Sequence, residues 1–122
     1  MRNFDLLIRG GSVVTHAEVR RLDIGIAAGQ IIALEIDLNG SATETIDATG
    51  LHIFPGLIDA HVHFNEPGRS DWEGFATGSR AFAAGGGTLF FDMPLNSSPP
   101  TIDGASFDKK VAAAEADRKS VV

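Results

Sequence analysis

The run GLIDAHVHFNEPG, residues 56–68, sets an aspartate and two histidines on every second position of an otherwise apolar stretch. In an extended backbone side chains alternate across the pleat. Leu57, Asp59, His61 and His63 would then share one face, and Ile58, Ala60, Val62 and Phe64 the other. Two imidazoles at i and i+2 on one strand face reach a single cation. Asp59, one pleat back, is either a further ligand or a carboxylate that orients a ring through its N–H. A hydrolytic zinc centre takes at least three protein ligands and keeps a position for water, whose pKa falls to about 7. The pair is therefore part of a centre. The plain alternative is two histidines buried on a strand. Three features favour the metal: the aspartate, the apolar opposite face, and the turn-rich NEPGRS at the carboxyl end of the strand, where parallel α/β folds bind ligands.

Other residues offer less. Gly85, Gly86 and Gly87 follow a helical segment and lack a Lys-Ser/Thr continuation, so they read as a helix stop and not as a phosphate loop. Glu66, Asp71 and Glu73 are conceivable acid–base partners. Glu73, however, has capping-box spacing from Ser70, and Asp71 suits the positive end of a helix dipole. Trp72 falls on an aromatic stripe with Phe75 and Phe82, yet its place near the loop would also let it touch a substrate. Asp92 is either a buried hydrogen-bonding residue or a wall of the site. Asn96, in the following loop, is placed for hydrogen bonding or for shaping the turn. Nothing in the spacing of His16 and His52 links them to the pair.

The elements that must position these residues fall into two parts. From Phe4 to Ile36, short β-type runs are punctuated by glycine, the pattern of hairpins in a small antiparallel sheet or sandwich. DLNGSATETIDATG then reads as a polar surface connection, so the sheet module spans residues 1–54. From Pro55 the pattern is a strand at 57–64, a helix whose stripe runs through Trp72, Phe75, Ala76, Ser79, Phe82 and Ala83, a buried strand TLFFDM, and a helix near 104–118 carrying Phe107, Val111 and Ala114. Such alternation implies parallel strands with right-handed crossovers, an α/β class with a β-rich N-terminal module. The terminal KSVV looks like the opening of a third strand, and two βα units cannot close a barrel. A truncated, longer chain is the expectation.

Bulk composition narrows the partners. The net charge is −6, and the basic residues cluster only as Arg20-Arg21 and Lys109-Lys110, so nucleic acid is not expected. No apolar run approaches the length of a membrane span. There is no cysteine, which leaves imidazole and carboxylate as metal ligands and suits a reducing cytoplasm.

PGLIDAHVHFNEPG, with DLLIRGGSVV, DIGIAAGQIIAL and ETIDATGLHIFPG, resembles the cyclic-amidohydrolase branch of the amidohydrolase superfamily. EPGRSDWEGFATGSRAFAAGGGT followed by DMPLNSSPPT is most similar to the members of that branch that open the ring of allantoin. The likeness runs over nearly the whole chain. It implies a composite β-sandwich beside a (β/α)8 TIM barrel, with 1–54 the N-terminal part of the sandwich and 55–122 the first two βα units of the metal-dependent hydrolase barrel. It implies His61 and His63 as ligands of two divalent metal ions, zinc foremost, with a carboxylated lysine, two more histidines and an aspartate supplied beyond Val122. Asp59 would orient an imidazole, and Asn65, Trp72 and Asn96 would face the substrate. Dihydroorotases carry an arginine where Asn65 stands, to grip a substrate carboxylate; an asparagine there suits a neutral ring. Hydantoinases lack the EPGR continuation. The implied reaction is hydrolysis of a small neutral cyclic ureide by a homo-oligomeric full-length protein, the 122-residue piece alone being inactive. Dihydroorotase or hydantoinase chemistry, and a non-catalytic relative kept as an assembly or binding module, remain open alternatives.

Overall fold

A computed structural model of the chain describes residues 2–118, so the KSVV segment read as a third strand lies outside the described residues. Two compact units emerge, Met1–Pro55 and Gly56–Val122.

The first unit is one five-stranded sheet of β1 (Asn3–Val14), β2 (Val19–Ala27), β3 (Gln30–Glu35), β4 (Ser41–Asp47) and β5 (His52–Ile53). The order is β3-β2-β1-β4, with β5 on the later part of β1. The β1–β2 and β2–β3 pairs are antiparallel, while β4 and β5 run parallel to β1. The sheet is therefore mixed, where the glycine punctuation suggested antiparallel hairpins alone. Gly10-Gly11 is not a turn: β1 continues through it with a slip in register between Ile8 and Gly11. Gly10 takes a φ of +73°, a bulge conformation that costs little only without a Cβ. The segment read as a polar connection carries β4. That strand lies at a sheet edge and is largely exposed, so it shows no hydrophobic alternation to betray it. Phe4, Leu7, Ala33 and Leu38 form one buried cluster, and Val13, Leu22 and Ile24 another.

The second unit runs β6 (Leu57–Val62), α1 (Phe75–Ala84), β7 (Gly87–Asp92) and α2 (Gly104–Arg118), with β6 and β7 parallel. The strand–helix–strand–helix alternation is thus present. Phe64 is its buried hub, with the rings of Phe75 and Phe90 centred 5.4 and 4.7 Å away. Helix α1 starts at Phe75, later than the Ser70–Glu73 spacing suggested. The backbone explains why. Asn65 N–H donates to Glu73 O (2.8 Å), Arg69 N–H to Asn65 O (3.2 Å) and Trp72 N–H to Arg69 O (3.1 Å), so this stretch closes a loop instead of a helical turn. Glu66 Oε2 accepts the Phe75 N–H (2.7 Å) and satisfies the helix start from across the loop. Trp72 consequently leaves the apolar stripe and is 68% exposed. The reciprocal cap belongs to α2: Asp103 Oδ1 accepts the Ser106 N–H (2.8 Å) and Ser106 Oγ accepts the Asp103 N–H (3.0 Å). Among the described residues no helix is long and apolar enough to cross a membrane.

Candidate metal centre

Strand β6 ends at Val62, two residues short of the 57–64 reading, so His63 stands beyond the β ladder. The ladder is irregular before that point. Asp59 faces Phe90 and Val62 faces Asp92, so three steps on β6 oppose two on β7. A bulge of this kind re-aims side chains that strict alternation would have fixed. Asp59 braces it, Oδ1 accepting the His61 N–H at 3.0 Å. Met93 N–H donates to Val62 O (2.8 Å), and Phe64 N–H to Asp92 Oδ1 (2.9 Å).

The two imidazoles converge across this irregular backbone. Their Nε2 atoms are 3.2 Å apart, with ring centroids at 5.1 Å and planes inclined by 64°. A separation of 3.2 Å fits a hydrogen bond between neutral rings. It also fits two corners of a metal tetrahedron, which lie about 3.4 Å apart for metal–nitrogen bonds of about 2.05 Å. The donor chemistry and spacing therefore suit a shared cation. His61 is exposed and His63 half-buried, with the His63 Nδ1 shielded from solvent and without a hydrogen-bond partner among the described residues. Asp59 is turned onto its own strand. Among the described residues no three His, Asp or Glu side chains gather as a metal site, so a complete centre needs ligands from elsewhere.

Around the pair, the loops after β6 and β7 are joined. Ser98 N–H donates to Pro67 O at 2.7 Å. Gly68 has φ +90°, and a Cβ there would come within 2.3 Å of Ser98 O. Asn65 lies in the first loop, 6% exposed, its Oδ1 buried and unpartnered among the described residues. Asn96 lies half-buried in the second, beside the buried Ser97. Trp72 stands at the surface under the Arg69 guanidinium, 5.4 Å from the ring centre. His16 and His52 belong to the first unit. Asp92 is a half-buried hydrogen-bonding residue that accepts the Phe64 N–H and pairs with Lys110, whose Nζ is 2.5 Å from Asp92 Oδ2 and donates to Phe64 O at 2.6 Å. Sequence reasoning passed over Lys110. Its signal was a lysine three residues after Phe107, on the stripe that continues through Val111 and Ala114.

Comparison with known proteins gives a consistent picture. The family model described as Amidohydrolase family matches residues 52–119. An allantoinase from Rubrobacter xylanophilus is 60% identical over 116 residues, 95% of this chain and 25% of the relative. An allantoinase from Desulfitobacterium hafniense is 50% identical over 117 residues, 96% and 26%. Among solved structures, the L-hydantoinase (dihydropyrimidinase) of Arthrobacter aurescens superposes with a TM-score of 0.82 at 30% identity, over 91% of this chain and 25% of that one. The chain spans about a quarter of the length of the curated relatives it matches.

Proposed function

The chain belongs to the amidohydrolase family, and on that premise we propose that it is the amino-terminal portion of a metal-dependent hydrolase that opens the hydantoin ring of allantoin to allantoate. The observation that carries this reading is the convergence of the His61 and His63 Nε2 atoms at 3.2 Å. These two side chains would hold one edge of a centre of two divalent ions. Imidazole donors suit zinc, and the remaining ligands would come from sequence beyond this quarter of the protein. When bound, such ions supply an activated water and polarise the ring carbonyl.

The chain's own residues do the placing. Ligation through Nε2 requires the neutral tautomer with its proton on Nδ1. Asp59 holds the His61 backbone. Asn65, two residues past His63, has a buried Oδ1 free to accept an N–H from the substrate. A neutral ureide offers such donors. An anionic dihydroorotate would instead find no cation at position 65. Asn96 and Trp72 complete the proposed substrate-facing set. On the same reading residues 1–54 supply part of a β-sandwich and 55–122 the first two βα units of the barrel. The full-length protein would work as a cytoplasmic homo-oligomer in purine breakdown.

The test is to assay the full-length protein side by side on allantoin, dihydroorotate and hydantoin, with its metal content measured. Fastest opening of allantoin by a metal-loaded protein is the expected result. Preference for either other ring overturns the substrate assignment. A metal-free protein inactive on all three overturns the enzyme reading in favour of an assembly module.

A further inference from the structure

Lys110 and Asp92 form an ion pair that the hydrolytic chemistry leaves unused. Their side chains are 10% and 11% exposed. Taking two charges out of water is costly, and well-packed apolar replacements of such pairs are often neutral or stabilising. Stability alone is thus a poor reason for the pair, and what it grips is more informative.

Asp92 Oδ1 accepts the Phe64 N–H at 2.9 Å, Lys110 Nζ donates to Phe64 O at 2.6 Å, and the two charged groups meet at 2.5 Å. One ion pair therefore takes both backbone polar groups of a single residue. The Phe64 N–H lies in the peptide plane that begins at the His63 carbonyl, so holding it restrains ψ of His63. The Phe64 carbonyl lies in the plane that leads to Asn65. Strand β6 has ended at Val62, so no ladder does this work. Lys110 is in turn packed on Phe75, its Nζ 5.2 Å from the ring centre, which ties the grip to the first turn of α1.

We propose that Lys110 and Asp92 are positioning residues whose ion pair clamps the Phe64 peptide groups and so aims the His63 imidazole at the cation it shares with His61. The proposal rests on the reading of His61 and His63 as metal ligands, and its test separates the two ideas.

In the full-length holoenzyme, Lys110→Met and Asp92→Asn are compared with the parent protein and with Leu7→Ala, a core truncation in the first unit. Metal dissociation constants are measured by chelator competition and melting temperatures in parallel, and exchange of the Phe64 amide is followed in the metal-free protein. Both clamp variants should bind metal ten- to a hundredfold more weakly, the range for residues that orient ligands, and should exchange the Phe64 amide faster. Leu7→Ala should melt earlier with unchanged metal affinity. A Lys110→Met protein that loses metal affinity while Leu7→Ala, at a comparable fall in melting temperature, keeps it supports the clamp most directly. Should Lys110→Met fail to fold, Asp92→Asn, which removes only the charge facing Lys110, carries the same comparison. Clamp variants with unchanged metal affinity and unchanged Phe64 exchange overturn the proposal. A parent protein that binds no metal overturns the ligand reading instead, and the Phe64 exchange rates then decide whether the clamp holds the His63 segment.

Discussion

Asp23 in the first unit and Asp92 in the second are both shielded carboxylates that gather backbone N–H groups and one cation, and they differ in what the cation does. Asp23 Oδ1 accepts the Gly10 N–H (2.8 Å), while Oδ2 accepts the Leu38 N–H (3.0 Å) and the Arg9 guanidinium (3.1 Å). It pins the β1 bulge to the chain that leaves β3. Arg9 keeps 41% of its side chain in solvent, so water shares the charge and the arginine is an accessory. Lys110 is sealed, and it donates to the backbone beside the histidines as well as to Asp92. Two small clusters give the first unit an interior, and Phe64 packed on Phe75 gives the second unit one. Where the β6 ladder has ended, directional polar contacts hold the backbone.

The comparison breaks most visibly at the histidines. If the proposed function holds, His63→Ala in the full-length protein should lose bound metal and reduce ring-opening activity by more than the roughly hundredfold typical of residues that merely orient a ligand. Asp23→Ala should leave metal content, read by elemental analysis, unchanged. Next in size is Asp92→Ala, which strands the Lys110 ammonium in a shielded place. A loss of about 3–5 kcal/mol is expected in denaturant unfolding, the range for one partner removed from a buried pair. Asp23→Ala should cost less, about 1–3 kcal/mol, because its stranded groups are backbone donors and a half-solvated arginine. Equal losses at the two sites would erase the distinction.

The smallest effect concerns pH. The Ser106 backbone N–H, and then its hydroxyl, hold the Asp103 carboxyl below its ordinary 3.8. A group depressed in the folded state stabilises it above the unfolded value, and that contribution is lost as pH falls through the folded one. The melting difference between parent and Asp103→Asn should therefore persist at neutral pH and fade below about pH 4.

What the sequence revealed follows physical lines. The parallel β6–β7 pairing with its intervening helix was legible because apolar periodicity distinguishes strands from helices over several residues. The family was legible because NEPGRS, DMPL and the histidine pair are specific in combination. Strand β4 was not, since an exposed edge strand obeys no alternation. Nor was the start of α1: Ser70 and Glu73 have capping spacing, and only the backbone bonds from Asn65 to Glu73 show that the loop prevails there. Nor was the role of Lys110, because burial of an ammonium depends on Asp92 and Phe64, 18 and 46 positions away in sequence.

The near-contact of Gly68 with Ser98 has an implication for redesign. Two connections that share a bond at Pro67 and leave no room for even a methyl group between them behave as one piece of masonry. Lengthening or transplanting either alone would prise the other from its seat. Any exchange of these segments with a relative's should move both together.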